Sequence, residues 1–152
     1  MAAGPFELVH YDTWGPYQIP THSGYRYFLT IVDDYTRYTW TYLMKNKLDA
    51  LTVVPRFFAY VDTQFGTPIK CFRFDNAPEL SFTEFFSSRG VLHQFSYDEC
   101  PEQNSVVERK HQHLLNLARA LMFQSRIPLK FWGECILTTS FLINRTPSSA
   151  VE

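Results

Sequence analysis

FDNAPELSFTEFFSSRGVLHQFSYDECPEQNSVVERKHQHLLNL, running from Phe74 to Leu117, is the stretch whose reading decides the fold. Its apolar spacing changes twice. IKCFRFD, ending on Asp75, reads as a strand, SFTEFFSSRG as a short helix stopped by Gly90, and VLHQFS as a further strand. NSVVERKHQHLLNL then takes on helical spacing, with Glu108 in the first turn of a helix from about Val106 to Gln124 that buries Val107, Leu114, Leu115, Ala118, Leu121 and Met122. An acid at a strand tip and an acid at a helix start are thereby free to meet in space.

Outward from that stretch, FELVHYDTW is a short apolar-rich strand that turns at Gly15-Pro16 and leaves Asp12 at its exit. YRYFLTIVDDY and RYTWTYLM are dense in aromatic and β-branched residues, with Asp33 and Asp34 between them as hairpin-turn residues. From Leu48 to Phe65 apolar residues recur at helical intervals, and Thr52 as N-cap would put Pro55 in the first turn, where proline is harmless. A last helix is expected from Leu129 to about Asn144, with Pro147 ending the domain. The order strand-strand-strand-helix-strand-helix-strand-helix-helix predicts a five-stranded mixed sheet, order 3-2-1-4-5, with helices on both faces. That order sets the first strand beside the fourth and brings Asp12 next to Asp75.

Three carboxylates at one edge of a sheet invite a divalent cation. At about 4 Å and an effective dielectric near 20, two like charges cost on the order of 4 kcal/mol. A hard ion such as Mg²⁺ relieves that repulsion and prefers oxygen ligands.

The chain has 152 residues, 45% hydrophobic and 17% aromatic, which suits one well-filled core and not two. The reading is a single domain over residues 1–148, with 149–152 starting a linker or tail. No apolar run reaches bilayer length, so no membrane association is expected, and MAAGPFEL lacks the plan of a secretion signal. Three cysteines, Cys71, Cys100 and Cys135, are odd in number and without zinc-type spacing, which fits a reducing compartment. A net charge of -1 argues against a protein that binds DNA by bulk electrostatics. The charge is unevenly spread: between Gln103 and Lys130 the basic residues are Arg109, Lys110, Arg119, Arg126 and Lys130, and Glu108 is the only acid.

HYDTWGPY, YFLTIVDDYTRYTW, FDNAPEL, NSVVERKHQHLL, FWGECI and LINRTPS follow one another as in the integrases of Ty1/copia-type retrotransposons, and the wording resembles plant members most. The resemblance runs from Phe6 to Ser148 and implies the catalytic core of an integrase in the retroviral-integrase superfamily, with a ribonuclease-H-like fold. It implies catalytic, metal-binding roles for Asp12, Asp75 and Glu108, with two Mg²⁺ or Mn²⁺ ions in the active state. One ion would activate the attacking oxygen and the other stabilise the leaving oxygen in joining element DNA 3′ ends to target DNA. Element-end DNA and target DNA are the implied partners, a dimer or tetramer the implied assembly and the nucleus the implied location. The zinc-binding module and basic C-terminal region of full-length integrases lack counterparts here, so the chain reads as an excised core. It departs from the family in spelling DNAPEL where DNGxEF is usual, and in an interval between second and third acids that is about three residues shorter, a deficit that falls in the Ser96 to Pro101 loop.

Each assignment has a plainer rival. Asp75-Asn76 reads equally as turn chemistry, and Ser105 with Glu108 as a capping box in which the carboxylate bonds the Ser105 amide. His10 shares a strand face with Asp12, yet packing is its better reading, and Glu79 is either near the site or solvated. Lys110 and Arg109 are read as phosphate contacts, and His113, His111, Asn104, Gln103 and Tyr97 as further nucleic-acid contacts; a solvated helix face is the alternative. The rival functions are a plain ribonuclease-H-like nuclease and a non-catalytic, domesticated core that binds DNA or protein.

Overall fold

Along β1 (Leu8–Trp14) the side chains alternate, sending Val9 and Tyr11 to one face of the sheet and His10, Asp12 and Trp14 to the other. The computed structural model describes residues 1–75, 82–96 and 105–147. β2 (Tyr27–Asp33) and β3 (Thr39–Met44) continue as an antiparallel meander, in which Asp12 lies opposite Thr30 and Trp14 opposite Phe28. α1 (Ala50–Phe65) then crosses over, and β4 (Cys71–Asp75) enters parallel to β1 with Tyr11 opposite Phe74. α2 (Thr83–Arg89) leads to β5 (Leu92–Ser96), parallel to β4 with Asp75 opposite Ser96. α3 (Ser105–Ser125) and α4 (Trp132–Ile143) complete the chain. The sheet order is β3-β2-β1-β4-β5, as expected.

Two apolar clusters fill the two faces. On the α1 and α2 side Tyr11 stacks between Phe72 and Phe74, at 4.6 and 4.9 Å between ring centroids, and Phe58 and Phe86 close on Phe72. Offset aromatic pairs of this kind add about 0.5–1.5 kcal/mol each beyond area burial. That gain offsets the Tyr11 hydroxyl, which is buried with no hydrogen-bond partner. On the other side Phe28, Leu114, Leu115, Ala118, Trp132 and Ile136 join α3 and α4 to the sheet.

Four local readings are corrected. α1 begins at Ala50 instead of after Thr52, because Asp49 accepts the Lys45 and Asn46 amides at 2.8 and 3.2 Å and starts the helical path early. Pro55 is therefore inside the helix, and the carbonyl it leaves unbonded belongs to exposed Leu51. The segment Leu129–Phe131 is a 3-10 turn, and α4 proper starts at Trp132. Leu121 and Met122 are only partly buried. α2 starts at Thr83.

Asp33 and Asp34 do more than turn the hairpin. Asp33 is fully buried and accepts the Phe6 amide at 2.8 Å and the Thr36 amide and hydroxyl at 2.9 and 2.7 Å. Asp34 accepts the Ala2 amide at 2.7 Å and the His10 Nε2–H at 2.9 Å. The pair fastens the N-terminal segment to the sheet, and His10 is the packed histidine that was expected. Burial pushes the His10 pKa down, outweighing the pull of Asp34. Burial would raise Asp34, but the Ala2 amide, His10 and Arg37 hold its carboxyl below the usual range.

Candidate metal centre and nucleic-acid face

Parallel pairing decides where the acids stand. Tyr11 and Phe74 are partners across β1 and β4, so one step further along the same register the backbone of Asp75, the last residue of β4, is level with Asp12, two residues before the end of β1; the Asp12 side chain is on the sheet face that α3 covers. Adjacent strands lie about 4.8 Å apart. Carboxyl ends of parallel strands are where open α/β sheets bind ligands. For Asp75 the description is confined to its backbone.

Asp12 is held from two directions. Its Oδ1 accepts the Thr13 amide at 2.8 Å, and its Oδ2 lies 3.5 Å from Nδ1 of His111. The Asp12 side chain keeps 30% of its surface exposed. His111 is buried edge-on against Phe28, and burial pushes its pKa down to about 4. The ring is neutral at pH 7. Nε2 is buried without a hydrogen-bond partner, so we assign the proton to Nδ1, facing the carboxylate.

Glu108 stands three residues before His111 on α3. Residues three apart share a helix face with about 5–6 Å between Cβ atoms, so Glu108 lies one turn from the ring that touches Asp12. It is exposed, and it sits in the first turn, where the helix dipole favours a negative charge. α3 begins at Ser105, which makes Glu108 the fourth helical residue. A capping box centred on Ser105 would need it third, and the cap position, 104, is outside the described residues.

Among the described residues no three His, Cys, Asp or Glu side chains gather as a metal site. The trio in question includes Asp75, whose backbone alone is described, and its all-carboxylate donor set fits a hard divalent ion.

The expected nucleic-acid contacts separate. Arg109 and His113 are exposed on α3, whereas Lys110 is half-buried in a cleft with Arg37 and Asn144. Gln103, Asn104, Tyr97, Glu79, the DNAPEL tail beyond Asp75 and the shortened loop lie outside the described residues, as does the proposed tail 149–152. His111, expected as a DNA contact, is instead a buried partner of Asp12. Its position on the apolar side of α3, in line with Leu114, Leu115 and Ala118, was the available signal. No helix of the described residues is long and apolar enough to cross a membrane.

Comparison with known proteins supplies an independent line of evidence. A family model described as "Integrase core domain" matches residues 2–99, a span that holds two of the three acids and stops short of Glu108. The Pol polyprotein of the transposon TNT 1-94 of Nicotiana tabacum is 35% identical over 145 residues, covering 93% of this chain and 11% of the relative. Those of the transposons RE1 and RE2 of Arabidopsis thaliana are 34% and 31% identical over 149 residues, covering 97% of the chain and 10% of each relative. The chain thus spans about a tenth of these curated relatives.

Two solved structures share the fold. The simian T-cell lymphotropic virus intasome in complex with PP2A regulatory subunit B56 gamma aligns at TM-score 0.70 and 17% identity, over 94% of this chain and 50% of that one. The HTLV-2 integrase catalytic core domain in complex with magnesium, in a trimeric form, aligns at 0.67 and 18%, over 97% of this chain and 90% of that one. The fold is ribonuclease-H-like.

Proposed function

Because the chain belongs to the integrase core domain family, in its Ty1/copia-type retrotransposon branch, we propose that it is a polynucleotidyl transferase that joins element DNA 3′ ends to target DNA. The observation that carries this reading is the register of β1 with β4, which levels Asp12 with Asp75, together with Glu108 one helical turn from the histidine that touches Asp12.

Asp12, Asp75 and Glu108 would hold Mg²⁺ or Mn²⁺, two ions in the active state. Bound there, divalent ions supply an activated attacking oxygen and charge stabilisation at the leaving oxygen, so no protein nucleophile is required. His111 would act through Asp12: its Nδ1 lies 3.5 Å from the carboxylate, where a small closure would let it donate and orient that group, and its burial keeps the ring from taking a proton at neutral pH. Glu108, on a rigid helix, brings its charge to the same edge. Lys110, Arg109, His113, Gln103 and Asn104 contact nucleic acid, the working form is a dimer or tetramer, and it acts in the nucleus.

The test is a strand-transfer assay with labelled element-end DNA. Asp12→Asn, Asp75→Asn and Glu108→Gln each lower joining to background while the folded state is retained; a variant that joins at the wild-type rate removes that residue from the site. Cleavage of DNA or RNA:DNA hybrids without joining would identify a plain nuclease. A Mn²⁺ titration that detects no ion coupled to these acids would leave a binding module.

A further inference from the structure

The loop joining β2 to β3 holds Arg37 with φ of 61°, a left-handed conformation that residues with side chains rarely adopt. The turn is tightly determined: the Arg37 amide donates to the Asp33 carbonyl at 2.9 Å, and the Asp33 amide to the Tyr38 carbonyl at 3.1 Å. Backbone strain that the surroundings enforce often marks a working position.

Arg37 opens onto a cleft of about 230 Å³ that Thr36, Lys110, Asn144 and Thr146 also line. Three elements converge there, and they are fastened together. The Asn144 carboxamide, at the end of α4, accepts the Thr39 amide at 2.8 Å and donates to the Thr39 carbonyl at 2.7 Å.

The charges in the cleft are not balanced. Among the described residues no carboxylate lies within ion-pair distance of the Lys110 ammonium. Arg37 donates to the Asp34 carboxylate at 3.5 Å, which also serves His10 and the Ala2 amide, so the cation without a carboxylate partner is Lys110. A half-buried lysine facing an arginine across a polar cleft is relieved by an anion. Arginine and lysine side by side suit phosphate oxygens, the first as a fork and the second as a point charge.

We infer that the cleft between Arg37 and Lys110 binds one backbone phosphate of the DNA on which the acid site works. This rests on the proposed function and adds a second anchor to it. Lys110 neighbours His111 on α3, and Asp33 is level with Val9, three residues from Asp12 along β1. Three residues at about 3.3 Å set Asp33 roughly 10 Å from the level of Asp12 along the strands, and the turn that holds Arg37 lies beyond it.

The experiment measures binding of a labelled 20-base-pair duplex by the chain between 50 and 200 mM salt, without divalent ion. The variants are Lys110→Gln, Arg37→Asn and their combination, since asparagine tolerates the left-handed backbone. Because both cations serve one phosphate, the slope of log affinity against log salt falls by about 0.9 in the double variant, and by no more in either single one. Lys110→Arg keeps the wild-type slope. An unchanged slope in the double variant overturns the inference, and a fall near twice that size replaces one shared phosphate with two separate contacts. Absence of salt-dependent duplex binding by the wild type overturns it as well. If inorganic phosphate broadens its ³¹P signal with wild type but not with the double variant while the DNA slope is unchanged, the cleft takes a free anion instead.

Should a variant fail to fold, acetylation of the wild type decides: duplex DNA protects Lys110 but not Lys45 or Lys47, and equal acetylation of Lys110 with and without DNA refutes the anchor. The two readings fail separately. Joining that survives Asp12→Asn removes the acid site and leaves the salt slope intact, whereas loss of the cleft leaves the acid variants inactive.

Discussion

The imidazole of His111 sits 3.5 Å from the Asp12 carboxylate with its far nitrogen buried and unbonded. An acid of β1 thus lies beside a neutral ring from the helix that also carries Glu108. Removing groups that orient ligating carboxylates typically costs 10–100-fold in metal affinity or activity. His111→Leu, which retains packing against Phe28, is therefore expected to lower strand transfer by about that factor and to weaken Mn²⁺ binding. His111→Asn, with a donor amide, recovers part of both. Equal activity in His111→Leu and wild type would show that the ring only fills space.

Metal and acids are linked through stability. An ion that binds the folded state alone at a hundred times its dissociation constant stabilises by about 2.7 kcal/mol. Adding Mn²⁺ raises the melting temperature of the wild type, and that rise disappears in Asp12→Asn. Without metal, Asp12→Asn melts at or above the wild-type temperature, because a like charge has been removed. Calorimetry with and without chelator checks both statements.

Acid sensitivity is expected from His93. Its ring stacks on Phe74 at 4.4 Å and meets Phe86 at 4.5 Å, and burial pushes its pKa down to about 4. A depressed histidine pKa means that the unfolded chain binds the extra proton, so the contribution is present above pH 6.5 and is lost as pH falls toward 4. The full shift corresponds to on the order of 3 kcal/mol, which partial exposure of the ring reduces to about 1 kcal/mol. Urea unfolding at pH 7 and pH 4.5 measures the loss, and His93→Phe makes the profile shallower by that amount.

Asp33 is the strongest single stability prediction. Asp33→Ala strands the Phe6 amide and the Thr36 amide and hydroxyl around a buried gap. The expected cost is about 3 kcal/mol, or roughly 10 °C in melting temperature for a chain of this length. A shift within 2 °C, on the order of the scatter for surface changes, would mean that the N-terminal segment is held by other contacts.

Much of the fold is legible locally. Alternation in HYDTW places Asp12 with His10, and the element order leads to the strand order that is observed. The misread helix starts have local causes too: the Asp49 carboxylate bonds back to the Lys45 and Asn46 amides and begins a helical turn at Lys47 that runs on into α1, so Thr52 falls inside the helix. The candidate acids can be picked out in the sequence, one to each of three elements. Its supporting ring was not, since a histidine among apolar residues on a helix has the same spelling whether it meets solvent, a core or a carboxylate.

The sequence by itself determined the sheet, its order and the neighbouring strands that carry Asp12 and Asp75, because strand period, turn chemistry and element order act between near neighbours; β1 runs two residues past Asp12, beyond the exit expected for it. Only the tertiary structure decided that His111 turns inward onto Asp12, that Asp33 and Asp34 fasten the N-terminal segment, and that Lys110 faces Arg37. Those pairings join side chains far apart in the chain, and they are fixed by which surfaces α3 and α4 cover when they pack against the sheet, a balance of burial and desolvation that no local spacing encodes.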